Sequence, residues 1–180
     1  YPPDNPDNPT LNALYYELTG VLYSSTRGTF KDPMSGNVMA PKLIKEHFGV
    51  DGFVNGGKTE SALKKFYEPR PENVRHISEE HDDEDAGHGH KSHHSDEVHI
   101  LCVPSPWPLS RDDQPVRIDG KAVKGVNPWR YVSSQPVNNV QQYDLWAEYV
   151  VGDEVWVIGN WKSEPFPKAR LSRYYKKRMR

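Results

Sequence analysis

Apolar residues follow helical spacing near the start of the chain. Residues 11–18 carry them at the i, i+3, i+4 and i+7 positions of an amphipathic helix, namely Leu11, Leu14, Tyr15 and Leu18. Thr10 precedes this run as the predicted N-cap, and Gly20 ends it. Residues 41–48 predict a second short helix, because a proline opens the run and a glycine follows it.

The segments around these helices have little apolar pattern. Residues 1–10 contain four prolines and predict an extended N-terminal arm. Residues 24–37 are polar and contain glycine and proline, so they predict a loop. Residues 61–67 predict a third helical turn, which Pro69 ends.

The second half of the chain shows the apolar and aromatic runs that are typical of strands. Strands are predicted at residues 98–103, 116–118, 121–123, 129–132, 143–150 and 155–158. Gly152 and Asp153 separate the last two runs and predict a tight hairpin. Short helices followed by antiparallel strands predict an α+β fold.

Composition adds a long polar insertion to this picture. The hydrophobic fraction is 35% and the mean hydropathy is −0.85, so part of the chain is expected to remain outside the core. Residues 79–97 are acidic and rich in histidine, and they predict a mobile surface loop. We therefore expect one globular domain over residues 1–167, followed by a basic C-terminal tail at 168–180.

The sequence lacks several motifs that are typical of enzymes. Cys102 is the single cysteine, and its apolar neighbours predict a buried thiol and not a nucleophile. The sequence has no Gly-x-Ser-x-Gly elbow and no complete phosphate-binding glycine loop. It also has no run of 18 apolar residues. We therefore expect a structural protein and not an enzyme.

Three local patterns resemble the major pseudopilins of type II secretion and the related type IV pilin-like proteins. The first is YPP at residues 1–3, followed by NPTLNAL at 8–14. The second is NPWRYV at 127–132, and the third is YDLW at 143–146 with IGNW at 158–161. The GFVN segment at 52–55 is similar to longer, verrucomicrobial members of this group.

The resemblance implies a pilin-like head and a role in protein transport or filament assembly. In that family a hydrophobic N-terminal helix precedes the Tyr-Pro pair, holds the subunit in the inner membrane and later packs into the filament. This chain would then be the globular head alone, located in the periplasm or at the cell surface. Its implied partners are other pilin or pseudopilin subunits and the secretion or pilus assembly machinery.

The family's calcium loop differs in this sequence. The corresponding stretch at residues 148–155 is short and offers two late carboxylates, Asp153 and Glu154. Because calcium takes six to eight oxygen ligands, these two adjacent acids disfavour a calcium site.

The polar insertion carries a second hypothesis. Imidazoles there could bind zinc or copper, with His88, His90, His93 and His94 as the candidate ligands. The alternative function is thus an extracytoplasmic metal-binding or adhesive module. A solvated loop whose charge changes with pH is the competing interpretation.

The basic tail is the remaining candidate for contacts. Its cations are Lys168, Arg170, Arg173, Lys176, Lys177, Arg178 and Arg180. They could bind nucleic acid or anionic lipid, although a solvated or subunit-contacting arm is the more common role of such a tail.

Overall fold

The computed structural model of the protein describes residues 1–77, 97–111, 116–118 and 121–171. These residues form a mixed α+β fold that is mostly β, with two short α-helices and several small, largely antiparallel sheets. The predicted α+β class is confirmed at this level. The predicted mobility of residues 79–97 falls on a segment that, apart from Glu97, lies outside the described residues.

The elements in chain order are α1 (Leu14–Thr19), β1 (Val21–Ser24), β2 (Thr29–Lys31), β3 (Val38–Met39), α2 (Pro41–Phe48), β4 (Gly56–Gly57), β5 (Val74–Ile77), β6 (Val98–Leu101), β7 (Arg117–Ile118), β8 (Lys121–Ala122), β9 (Arg130–Val132), β10 (Asp144–Val151), β11 (Glu154–Gly159) and β12 (Phe166–Pro167). Short 3-10 turns lie at Glu60–Ala62, Pro71–Asn73 and Lys168–Arg170.

Two four-stranded sheets and two ribbons make up the β structure of the described residues. The N-terminal sheet has the order β3-β2-β1-β4, in which β1 and β4 run parallel. The C-terminal sheet has the order β12-β11-β10-β9 and is antiparallel throughout. The β5-β6 and β7-β8 pairs are antiparallel ribbons.

Helix α1 begins later than its apolar spacing predicts. It starts at Leu14, and Thr10 is not its N-cap, because the Thr10 hydroxyl donates to Asn8 Oδ1 at 2.6 Å. Asn12 Oδ1 instead accepts from the Leu14 amide at 3.2 Å. The predicted end is confirmed: Gly20 has φ +83° and its amide donates to the Tyr16 carbonyl at 2.8 Å.

The second predicted helix is confirmed over its whole length as α2, with Gly49 in the left-handed conformation behind it. The third predicted helical turn is wrong in position and length. A single 3-10 turn occupies Glu60–Ala62, and the chain is extended from Leu63 because the Phe66 and Tyr67 amides donate to the Leu18 carbonyl.

The predicted loop at residues 24–37 is also wrong. It contains the hairpin between β1 and β2, and the first residue of β3 follows it. Phe30 is the apolar residue that fixes this hairpin, since its ring packs against Phe53 at 5.3 Å between centroids.

The strands predicted in the second half are confirmed, with β12 as an addition. The hairpin at Gly152 and Asp153 is confirmed as well, because Val151 and Glu154 are paired on either side of it. Two apolar clusters form the core of the part of the chain that the structure describes. The larger one joins α1, α2 and the β5-β6 ribbon, whereas the smaller one lies around Trp146, Val157 and Leu171.

The folded body extends into the predicted tail. Lys168–Arg170 forms its 3-10 turn against β11, and Leu171 is 3% exposed. Residues 173–180, which carry the remaining predicted tail contacts, lie outside the described part of the chain. A search of the described residues found no helix with the length and apolar character needed to cross a membrane.

Candidate functional site

The N-terminal arm covers the free edge of β9. The Tyr131 amide donates to the Pro9 carbonyl at 3.2 Å, and Asn12 Nδ2 donates to the carbonyls of Pro9 and Trp129 at 2.8 Å each. An uncovered strand edge would leave backbone donors and acceptors open to pairing with another chain. The arm satisfies the Tyr131 amide and the Trp129 carbonyl within the chain.

The first four residues continue this contact toward the start of β10. Asp4 Oδ2 accepts from the amides of Ser133 and Ser134 at 2.9 and 3.2 Å. The Tyr131 hydroxyl donates to the Pro2 carbonyl at 3.1 Å. Burial raises the pKa of Tyr131 to about 12, so this hydroxyl remains protonated and able to donate.

Asn160 and Asp144 stabilise the two segments of the third pilin-like pattern, YDLW at 143–146 and IGNW at 158–161. Asn160 bridges to β10, since its Oδ1 accepts from the Leu145 amide at 3.1 Å and its Nδ2 donates to the Tyr143 carbonyl at 2.9 Å. Asp144 is fully buried, and its carboxylate accepts from three consecutive backbone amides at residues 137–139. The segments at 143–146 and 158–161 are therefore one structural unit.

Glu17 ties α1 to the GFVN segment. Its two carboxylate oxygens accept from the Val54 and Asn55 amides at 2.7 and 2.8 Å. Asn55 Nδ2 donates to the Glu17 and Lys64 carbonyls in return. Burial raises the pKa of Glu17, and the two amide bonds only partly offset this effect.

A histidine–carboxylate cluster lies on one face of the β5-β6 ribbon. His76 and His99 are directly paired across the strands, and Glu97 lies two residues before His99. Side chains alternate between the two faces of a strand, so these three side chains share a face. His76 Nδ1 lies 2.9 Å from His99 Nε2 and 2.6 Å from Glu97 Oε1.

Asp32 lies behind His99, on the side away from His76. Its Oδ2 is 3.0 Å from His99 Nδ1, and it also accepts from the Tyr15 and Ser35 hydroxyls at 3.1 and 2.8 Å. Burial disfavours a charge on Asp32, but the hydrogen bonds from His99, Met34 and Ser35 outweigh this effect and lower its pKa. Because the Tyr15 and Ser35 hydroxyls and the Met34 amide all donate to this carboxylate, it acts as an acceptor, and His99 Nδ1 is placed to donate to it as well.

The described residues contain one group of at least three potential metal ligands, formed by His76, Glu97 and His99. Their ligand atoms all lie within 4.8 Å of one another. His99 is buried, Glu97 is partly buried and His76 is exposed, so the group opens to solvent on the His76 side.

A second set of buried charges lies in the C-terminal sheet. Glu148 and Arg130 are each 1% exposed, and Arg130 Nε lies 3.4 Å from Glu148 Oε1 without hydrogen-bond geometry. Lys168 Nζ lies 2.7 Å from Glu148 Oε2. Burial opposes a charge on Glu148, but Arg130 and Lys168 outweigh it and lower its pKa. This network joins β9, β10 and the start of the predicted tail.

Among the described residues, the structure does not bring the predicted site residues together. Asp153 and Glu154 are exposed at the tip of the β10-β11 hairpin, outside the group of potential metal ligands. Lys168 contacts Glu148 inside the fold, whereas Arg170 is exposed. The four candidate histidines at positions 88, 90, 93 and 94 lie outside the described residues, so metal binding there stays a prediction.

The sequence prediction missed the histidine–carboxylate cluster entirely. The one local signal was the alternation of Glu97 and His99 at the start of a predicted strand. The pairing with His76 crosses the polar insertion, and Asp32 is 67 residues away from His99 along the chain.

Comparisons with known proteins identified no protein similar to this chain. No family model, no curated protein and no solved structure matches this chain.

Proposed function

We propose that this chain is the globular head of a pseudopilin or type IV pilin-like subunit. It would assemble with other subunits outside the cytoplasm through an apolar helix that precedes Tyr1 in the whole protein. The supporting observation is that the segments carrying the resemblance, although they are more than a hundred residues apart, contact one another. The arm at 1–13 lies along the NPWRYV segment, with the Tyr131 amide on the Pro9 carbonyl.

The position of Tyr1 supports this geometry. Its ring is 74% exposed and contacts the Tyr143 ring at 5.1 Å between centroids. A helix that precedes Tyr1 would therefore join the globular head next to the start of β10. The contacts of Asp4 with Ser133 and Ser134 would then transmit the position of that helix to the sheet.

The direct test is the gene sequence upstream of the Tyr1 codon. We expect about 20 consecutive apolar residues, sufficient to span a bilayer, preceded by a short basic leader. Expression of the whole gene in its own host should place the protein in the membrane fraction and cross-link it to copies of itself. A soluble domain upstream of Tyr1, or a whole protein that remains outside the membrane fraction, would overturn the proposal.

A matched pair of variants tests the arm. Asp4→Ala removes the acceptor for the backbone amides of Ser133 and Ser134, directly after β9, and should reduce cross-linking between subunits. Asp51→Ala removes an exposed carboxylate that pairs with the exposed Lys45, and it should leave cross-linking unchanged. Equal behaviour of the two variants would show that the arm does not position the head.

A further inference from the structure

We propose that His76, His99 and Glu97 bind one divalent transition-metal ion of the zinc class, with Asp32 orienting His99. This site goes beyond the filament role, and it involves none of the candidate histidines of the polar insertion. The inference rests on the hydrogen-bond partners of the two histidines, the spacing of the ligand atoms and their chemical type.

The ligand atoms of the three residues lie within 4.8 Å of one another. A carboxylate next to His99 Nδ1 favours the tautomer with the proton on that nitrogen, which leaves the lone pair of His99 Nε2 on the side of His76. His76 Nδ1 carries at most one proton but faces two acceptors, His99 Nε2 and Glu97 Oε1. One ring nitrogen therefore has to serve both acceptors. A cation in place of that proton would accept all three lone pairs at once.

The spacing needs only a small adjustment. Zinc bonds of about 2.0–2.1 Å in tetrahedral geometry place neighbouring ligand atoms roughly 3.3 Å apart. The two separations that involve His76 Nδ1, 2.9 Å and 2.6 Å, must each widen by less than 1 Å, and the third, between the Glu97 and His99 ligand atoms, is at most 4.8 Å. The side chains of His76 and Glu97 are 59% and 31% exposed, so they can move outward, whereas the buried His99 provides the fixed ligand.

The ligand types select the class of ion. Two imidazole nitrogens and one carboxylate oxygen suit zinc and its transition-metal neighbours, whereas calcium and magnesium favour oxygen ligands. The carboxylates of Asp32 and Glu97 supply two negative charges, which match the charge of a divalent ion. Three protein ligands leave one position on the exposed side for water or an exogenous ligand.

Asp32 is a positioning residue in this arrangement. Four donors hold its carboxylate: the His99 ring, the Tyr15 and Ser35 hydroxyls and the Met34 amide. A carboxylate behind a ligating histidine fixes the ring orientation and raises the basicity of the ligand, and its loss typically costs about 10–100-fold in metal affinity.

The test is calorimetric titration of the full chain with ZnCl2. The starting variant replaces the five histidines outside the described residues with Asn, so that binding reports on the ribbon alone; they are His81, His88, His90, His93 and His94. We expect one zinc ion per chain in this variant. His76→Ala and Glu97→Gln should each weaken binding by more than the roughly 10–100-fold expected for an orienting residue.

The matched controls use residues of the same type. His47→Gln removes a buried imidazole that lies outside the ligand group, and it should leave zinc affinity unchanged. Asp32→Asn should weaken zinc binding and shift the visible absorption of bound Co²⁺. Tyr15→Phe removes a different hydrogen bond of the same carboxylate and should leave that absorption unchanged. Circular dichroism checks that each variant is folded.

Three results would overturn the inference. The first is the loss of zinc binding when only the five histidines are replaced, and the second is zinc binding that His76→Ala does not weaken. The third is equal competition by Ca²⁺, which would exclude the zinc class. The upstream gene sequence is independent of each of these results, so failure of the metal site and failure of the filament proposal are distinguishable.

Discussion

Replacement of Glu148 by glutamine should destabilise the protein far more than the loss of an exposed carboxylate would. The substitution keeps the shape of the side chain but removes its charge, so Arg130, which is 1% exposed, loses the carboxylate that it faces. At the observed 3.4 Å, the Coulomb attraction between the two charges is about 5 kcal/mol for an effective dielectric constant near 20. Removal of one partner from a buried pair typically costs about 3–5 kcal/mol.

We therefore expect Glu148→Gln to lower the free energy of unfolding by about 3–5 kcal/mol. Urea denaturation, followed by tryptophan fluorescence and circular dichroism, measures this value. Glu154→Gln is the matched control, because Glu154 is an exposed glutamate on the neighbouring strand. Its effect should stay within about 0.5 kcal/mol, as is usual for surface substitutions.

A double variant separates the buried charge from the loss of packing. Arg130→Met removes the cation that Glu148→Gln leaves unpaired, so the double variant should be more stable than the sum of the two single effects predicts. The interaction free energy between the two substitutions should lie at the upper end of the roughly 0.5–3 kcal/mol found for residues in contact. Strictly additive effects, or equal losses in Glu148→Gln and Glu154→Gln, would refute the reasoning.

Three further outcomes follow from the structure. Acid should lower the free energy of unfolding below about pH 4. The pKa of Glu148 is lower in the folded than in the unfolded protein, so the ionised carboxylate stabilises the fold above its unfolded pKa, and this stabilisation is lost as the pH falls through the folded pKa. Between pH 7 and pH 3 the urea midpoint should therefore fall less in Glu148→Gln than in the unchanged protein. Cys102 is fully buried with its pKa raised to about 12, so a thiol reagent at pH 8 should label it only after unfolding. Gly49→Ala should lower the urea midpoint more than Gly152→Ala, because both have positive φ but a Cβ at Gly49 would lie 2.9 Å from Asn5; equal losses would contradict this contact.

The sequence predicted those elements whose signal is local. Helix α2 has a proline at its start and a glycine at its end, and the hairpin between β10 and β11 has its turn residues between two apolar runs. In both cases a few neighbouring residues determine the backbone, so the predicted bounds were close to the observed ones. The class of the fold follows from the order of such elements along the chain.

The N-terminal sheet could not be predicted in the same way. Its strands are only two to four residues long, and in β1 and β2 only Val21 and Phe30 are buried. Such strands carry no alternation long enough to recognise. They exist because Phe30 packs against Phe53 and because β4 pairs with β1, and both contacts depend on the placement of a distant segment.

The histidine–carboxylate cluster shows the same limit at the level of single residues. A search for histidines close together in sequence favours the polar insertion, where the spacing is short but no strand or helix was predicted to hold the ligands. The ribbon instead brings together His76 and His99, which are 23 residues apart. Strand pairing sets their geometry, and Asp32, directly after β2, holds the His99 ring from a distant part of the chain, so neither effect has a local signature.

Helix α1 connects the two proposals physically. Six residues are too few for a helix that is stable by itself in water, so its position depends on tertiary bonds. Asn12, just before it, bonds to the segment that carries the pilin resemblance, and Glu17 bonds to the GFVN turn. The Tyr16 hydroxyl accepts from the His99 amide at 2.8 Å, and Tyr15 donates to Asp32. The apolar spacing of residues 11–18 thus predicts that a helix forms, while its polar residues and tyrosine hydroxyls determine where it lies. A substitution that keeps the apolar spacing but removes Asn12 would preserve the sequence signal of the helix and still weaken its attachment to the sheet.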